Sequence, residues 1–96
     1  MATVTKKELI SRISESTQAK RVLVKRIIQA FLDEIVTELC KNNRLEFRDF
    51  GVFETRTRAG RIAQNPKTLE PVEVPAKRKV KFKMGRTMKE GMNDHL

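Results

Sequence analysis

Residues 56–83 read RTRAGRIAQNPKTLEPVEVPAKRKVKFK, with Asn65-Pro66 near the middle. Two runs with strand character, about Phe53 to Ile62 and about Val72 to Phe82, flank a tip made of Asn65, Pro66, Lys67 and Thr68. Basic residues recur along both limbs, and almost nothing in the stretch is bulky enough to build a core. An isolated two-stranded ribbon is at best marginally stable in water, so the remainder of the chain must be its platform. The stretch reads as an arm that reaches out and holds something acidic.

The chain has 96 residues and is expected to form one domain. Setting aside an arm of roughly 20 residues leaves a body of about 75, which is marginal because little of its surface is buried on folding. Partner binding or dimerisation is the usual remedy. The net charge is +9, so a polyanion is the expected partner. The charge is unevenly placed: residues 1–55 carry ten Lys/Arg against eight Asp/Glu, whereas residues 56–89 carry eleven against Glu70 and Glu73. The surplus sits in the arm and in the strand and helix start on its C-terminal side.

Upstream of the arm the pattern is helical. Thr5-Lys6-Lys7-Glu8 has the form of a capping box, and Leu9, Ile10 and Ile13 mark one apolar face until the pattern fades near Ser14 to Gln18. A second helix is predicted from about Thr17–Lys20. Its apolar positions Val24, Ile27, Ile28, Phe31, Leu32, Ile35, Val36 and Leu39 form a stripe too wide for one short helix to cover. The stripe wants a second helix of the same kind from another subunit. Lys41-Asn42-Asn43 ends the helix with a cation and two turn formers.

Alternation begins at Arg44. Leu45, Phe47 and Asp49 are expected to face one way and Glu46, Arg48 and Phe50 the other, with a turn at Phe50-Gly51 and a returning strand from Val52 to Arg58. Phe47, Phe50 and Phe53 read as core and interface aromatics. After the arm come a short strand, Val80 to Lys83, and a short helix from about Arg86 to Met92 carrying Met88 and Met92. The tail Asn93 to Leu96 is expected to fray.

This order, with Arg44-Leu45-Glu46-Phe47-Arg48-Asp49-Phe50-Gly51-Val52-Phe53, Asn65-Pro66-Lys67-Thr68, Val74-Pro75-Ala76 and Gly85-Arg86 in register, resembles the bacterial HU/IHF family of histone-like architectural DNA-binding proteins. Lys7-Glu8-Leu9-Ile10 and Ala30-Phe31-Leu32 also match its helical half. The resemblance covers nearly the whole chain. It implies an α+β fold with a helical N-terminal half, a three-stranded antiparallel sheet carrying a long β-ribbon arm, a short C-terminal helix and an intertwined dimer. In those terms residues 1–53 are the dimerisation body, 54–79 the DNA-binding arm, and 80–96 the C-terminal strand and helix. Five positions depart from the family pattern. Ala63-Gln64 stands where Gly-Arg precedes the tip Asn-Pro, Leu69 where a turn glycine is usual, Asp49 where glycine is common, and Met84 where proline is common.

The resemblance implies a homodimer, or a heterodimer with a paralogue, whose two arms clasp double-stranded DNA in the minor groove, bending and compacting it with little sequence preference. The residues suit that task. Arg56, Arg58, Arg61 and Lys67 along the arm meet phosphates and the groove's negative potential. Gln64 and Asn65 can hydrogen-bond groove acceptors, and Pro66 is a stiff apolar wedge between base steps. Lys77, Arg78, Lys79, Lys81, Lys83, Arg86 and Lys89 would hold the bent flanks. The expected dimer interface comprises Ile28, Phe31, Leu32, Ile35, Leu39, Phe47, Phe50, Phe53 and Phe82. Lys6, Lys7, Lys20, Arg21, Lys25 and Arg26 are balanced by nearby acids and read as a solvated helix face.

Catalysis finds no support in the residues. His95 is the sole histidine, Cys40 the sole cysteine, and no Cys/His cluster or glycine-rich loop is present to hold zinc or a nucleotide. No cofactor, metal or small-molecule substrate is expected, and a lone Cys40 with no apolar leader or membrane span fits a cytoplasmic, nucleoid-associated protein. Three other readings compete with a non-specific DNA bender: a site-specific IHF-like heterodimer, a basic RNA-binding protein, and a protein-interaction module built on the second helix.

Overall fold

The computed structural model describes residues 1–93; Asp94, His95 and Leu96 lie outside the described residues, and with them most of the tail expected to fray, whereas Asn93 belongs to the last helix. The chain divides into two units, Met1–Thr37 and a second beginning at Glu38. The elements and their antiparallel pairing give the expected α+β class.

The first unit holds α1 (Lys6–Thr17) and most of α2 (Arg21–Cys40). Thr5 caps α1, its Oγ1 accepting from the Glu8 N–H at 3.4 Å. The reciprocal half of the capping box is not made, because the Glu8 carboxylate turns to Arg12 one turn on, at 2.8 Å. Gln18 ends the helix in the left-handed region at φ 57°. α2 starts at Arg21, later than the Thr17–Lys20 window, since Thr17 still belongs to α1, and Ser14 Oγ donates to the Ala19 carbonyl at 2.7 Å in the linker. Lys6 Nζ donates to Gln29 Oε1, and Gln29 in turn donates to Asp33 at 2.9 Å.

Among the described residues the buried hydrophobic side chains are Ile10, Val24 and Leu39. Leu23, Ile27, Phe31, Leu32 and Val36 on α2 are exposed, and Ile28 and Ile35 are half-buried. Leu39 differs from the other expected interface residues, being only 8% exposed within its own chain.

In the second unit α2 closes with a Schellman motif. The Asn43 N–H donates to the Glu38 carbonyl and the Asn42 N–H to the Leu39 carbonyl, both at 3.0 Å, with Asn42 left-handed at φ 64°. A sheet comes next in the order β1 (Leu45–Phe47), β2 (Gly51–Arg58), β5 (Lys77–Met84). The turn between β1 and β2 lies one residue earlier than expected. It occupies Arg48–Phe50, with Asp49 left-handed at φ 65° and the Phe50 N–H returning to the Phe47 carbonyl at 3.0 Å. Alternation therefore stops at Phe47, and Phe50 does not face away from it: their rings meet edge-on at 6.3 Å. Asp49 takes over the positive φ that glycine would adopt without strain.

The limbs of the arm are not the continuous strands Phe53–Ile62 and Val72–Phe82. β2 stops at Arg58 and β3 (Arg61–Gln64) begins after a two-residue gap, while β4 (Pro71–Val74) is parted from β5 by Pro75 and Ala76. The register is the same on both sides of the gap, with Arg58 opposite Lys77 and Arg61 opposite Val74. The ladder lapses rather than slips, at the point where Pro75 has no N–H to give. Beyond the gap β3 and β4 form a separate two-stranded sheet. The return strand is correspondingly longer than Val80–Lys83, because the bonds to β2 continue through Lys77.

Phe53 lies between Leu45 on β1 and Phe82 on β5, and an aromatic cluster results. Ring centroids are 5.9 Å apart for Phe47–Phe53, 4.8 Å for Phe53–Phe82 and 5.8 Å for Phe50–Phe82. Such pairs add about 0.5–1.5 kcal/mol each beyond area burial. α3 (Arg86–Asn93) is seated on the β1–β2 turn: the Gly85 N–H donates to the Phe50 carbonyl at 2.8 Å and the Thr87 N–H to the Asp49 carbonyl at 2.9 Å. Two donors at the helix start are thus satisfied by the turn. Met88 is half-buried and Met92 exposed.

Candidate nucleic-acid interface

Residues directly opposite in an antiparallel pair project to the same face. The register therefore sorts the arm's root into two faces. Arg56 faces Lys79 and Arg58 faces Lys77; Glu54 faces Lys81 and Val52 faces Lys83, on the same side. The other side carries Thr57 opposite Arg78, Thr55 opposite Val80 and Phe53 opposite Phe82. Arg56, Arg58, Lys77, Lys79, Lys81 and Lys83 thus share one face, with Glu54 as its one acid.

Glu54 is engaged by Lys83 at 2.9 Å. That hydrogen bond, with the Lys83, Arg56 and Arg44 charges, holds its carboxyl below the usual carboxylate range against the opposing effect of burial. Among the described residues no acid lies within 4.0 Å of Arg56, Arg58, Lys77, Lys79 or Lys81. Like charges set directly opposite each other across a ladder are destabilising. The two basic pairs, Arg56–Lys79 and Arg58–Lys77, therefore do not support the fold.

The tip is a tight loop. Pro66, Lys67 and Thr68 form the turn, closed by Leu69 N–H to Asn65 carbonyl at 2.8 Å and Asn65 N–H to Glu70 carbonyl at 2.9 Å. Asn65 Oδ1 accepts from the Lys67 N–H at 2.9 Å, an Asx turn that leaves the side-chain amide N–H groups available. Leu69, in the place of a turn glycine, adopts the left-handed conformation at φ 60°. Gln64, in the place of arginine, donates from Nε2 to the Leu69 carbonyl at 3.2 Å. The two departures at the tip are thus hydrogen-bonded neighbours. Pro66 is exposed at the apex, and Arg61 and Lys67 are exposed near it.

Arg86 and Lys89 lie on α3, and Arg86 pairs with Glu90 at 3.0 Å. Arg78 stands apart from the other cations. Its Nη1 donates to the Cys40 carbonyl and to Asn42 Oδ1, both at 2.9 Å. Composition groups Arg78 with Lys77 and Lys79, although strand alternation alone puts it on the other face; its partners, 36 and 38 positions away, leave no sequence signal. Glu54 is absent from the residues expected at the interface, yet the alternation Glu54, Arg56, Arg58 places it among the cations.

Among the described residues no group of three His, Cys, Asp or Glu could hold a metal ion, and no helix is long and apolar enough to cross a membrane.

Comparison with known proteins agrees with this geometry. The family described as bacterial DNA-binding protein matches residues 4–93. A probable DNA-binding protein HU of Chlamydia pneumoniae is 47% identical over 90 residues, 93% of this chain and 90% of that one. DNA-binding protein HU of Thermotoga maritima is 39% identical over 87 residues, 91% of this chain and 97% of that one. Among solved structures, an Anabaena HU–DNA cocrystal structure superposes with a TM-score of 0.82 at 29% identity, covering 94% of this chain and 98% of that one. The match is to a family of DNA-binding proteins and not of enzymes. The chain belongs to the HU family of bacterial DNA-binding proteins.

Proposed function

We propose that two copies of this chain form a dimer that clasps duplex DNA with its two arms, each in the minor groove, and bends it with little sequence preference, as a nucleoid-associated protein of the cytoplasm. The observation that carries this reading is the face holding Arg56, Arg58, Lys77, Lys79, Lys81 and Lys83, which leads into a narrow ribbon with Pro66 exposed at its end. A β-ribbon with small side chains fits the minor groove, and an apolar ring at its tip can enter a base step. Unstacking a step costs about a few kcal/mol, offset by the phosphate contacts that a bent duplex makes with Lys81, Lys83, Arg86 and Lys89.

The dimer is supported by apolar side chains that remain exposed. Leu23, Ile27, Leu32 and Val36 on α2, with the half-covered Phe50 and Phe82, are the residues to be buried. Low specificity is supported by Gln64, whose amide is turned to the Leu69 carbonyl.

Competition between a duplex and a structured RNA of equal length, at several salt concentrations, tests the reading. The duplex should win, with log K falling against log salt at about −0.9 per phosphate neutralised. Preference for the RNA would replace duplex DNA with RNA as the partner, and tight binding to one duplex sequence alone would favour a site-specific dimer.

A further inference from the structure

We propose that Arg78 is a positioning residue that fixes the direction of the arm from the end of α2, and is not a phosphate contact; this deepens, and rests on, the DNA-bending function proposed above. Arg78 sits on β5 opposite Thr57, in the last pair but one before the ladder lapses at Ala59-Gly60. It is on the face opposite Lys77 and Lys79. There its Nη1 bonds to the Cys40 carbonyl and to Asn42 Oδ1.

The receiving side is built for a cation. The Schellman motif uses the N–H groups of Asn42 and Asn43 on the Leu39 and Glu38 carbonyls. The next carbonyl, Cys40, lies at the negative end of the helix and takes the guanidinium instead. The left-handed Asn42 supplies the second acceptor, and Thr55 Oγ1 donates to that same Oδ1 at 3.4 Å. Asn42 thereby touches both strands of the arm's root, β2 through Thr55 and β5 through Arg78. Beyond this point the strands continue only as a separate two-stranded sheet. The clamp sets the angle of the root before the ladder lapses, and with it the geometry in which two arms meet a bent duplex.

The test uses the full chain with Arg78→Ala, Arg78→Lys, Asn42→Ala, the double variant Asn42→Ala/Arg78→Ala, and Lys79→Ala. Each is measured for duplex affinity across a salt series and for end-to-end distance on the bound duplex. Lys79→Ala should make the log K–log salt slope shallower by about 0.9. Arg78→Ala should leave the slope unchanged while weakening binding about three- to tenfold and reducing the bend. Asn42→Ala, which removes no charge, should do the same, and the double variant should add little. Arg78→Lys keeps the charge without the planar fork and should also lose bend.

A shallower slope for Arg78→Ala, or a fully bending Asn42→Ala, overturns the proposal. If Arg78→Ala does not fold, Arg78→Lys and Asn42→Ala decide. Amide exchange at residues 55–58 and 77–80, measured without DNA, keeps the clamp testable if the parent protein fails to bend DNA. Faster exchange in Asn42→Ala supports the clamp, and exchange equal to the parent's overturns it.

Discussion

The ring of Phe82 occupies the space that a side chain on Gly51 would fill. A Cβ at Gly51 would meet Phe82 Cε1 and Cζ at 2.5 Å and the Lys83 carbonyl oxygen at 2.7 Å. Glycine at the start of β2 is what lets the aromatic cluster close over the sheet. Gly51→Ala should therefore cost about 1–3 kcal/mol by overpacking, seen as a lower denaturation midpoint at fixed protein concentration. A midpoint equal to the parent's would mean the ring moves aside freely.

Gly85 is stricter. A Cβ there would meet backbone atoms, Phe50 C at 2.6 Å and the Asp49 carbonyl carbon and oxygen at 2.7 Å, where no rotamer can yield. Gly85→Ala should destabilise more than Gly51→Ala and release α3 from the β1–β2 turn. Amide exchange at Thr87 should accelerate, since its N–H is held by Asp49.

Leu69 holds a left-handed backbone that costs an L-residue roughly 1–2 kcal/mol. Leu69→Gly should slow amide exchange at Asn65, whose N–H is held by the Glu70 carbonyl, by steadying the tip. Gln64→Arg should strengthen duplex binding and steepen its salt slope by about 0.9, by adding a cation beside Pro66. An unchanged slope would mean that residue 64 does not reach the duplex.

The Glu54–Lys83 pair makes a pH prediction. Because the folded carboxyl titrates below its unfolded counterpart, its stabilising effect is complete above the ordinary carboxylate range. It is lost as pH falls through the lower, folded value. Glu54→Gln should thus lower the thermal midpoint at neutral pH, and the difference from the parent should close in acid. At neutral pH the same variant frees Lys83 and should bind duplex more tightly.

Assembly should show in thermal unfolding. With only Ile10, Val24 and Leu39 as buried hydrophobic side chains among the described residues, folding is tied to association, so the midpoint should rise with protein concentration. Val36→Glu on the exposed α2 face should lower it and favour monomers in sedimentation. A concentration-independent midpoint would argue that the chain folds alone.

Much of this was legible because it is local. Thr5 announced α1, Asn42 the end of α2, and the Leu45–Phe47 alternation β1. The turn lies a residue before the position the sequence indicates, because Arg48-Asp49-Phe50-Gly51 offers no Asn-Gly or Pro signal and Asp49 rather than glycine takes the positive φ. The lapse in the arm needed pairing as well as composition: Pro75 is plain in the sequence, but that it stands across from Gly60 follows only from the register. The role of Arg78 was hidden because a lysine-rich strand looks uniformly basic until its partner strand and α2 are in place.

The most direct test of the central claim is end-to-end fluorescence transfer on a labelled duplex of about 35 base pairs, titrated with the parent chain and with Pro66→Ala. Transfer should rise to a plateau with the parent, weaken with salt, and plateau lower with Pro66→Ala while the duplex remains bound. Equal plateaus for the two proteins would remove the wedge, and binding by the parent with no rise in transfer would contradict DNA bending by these arms.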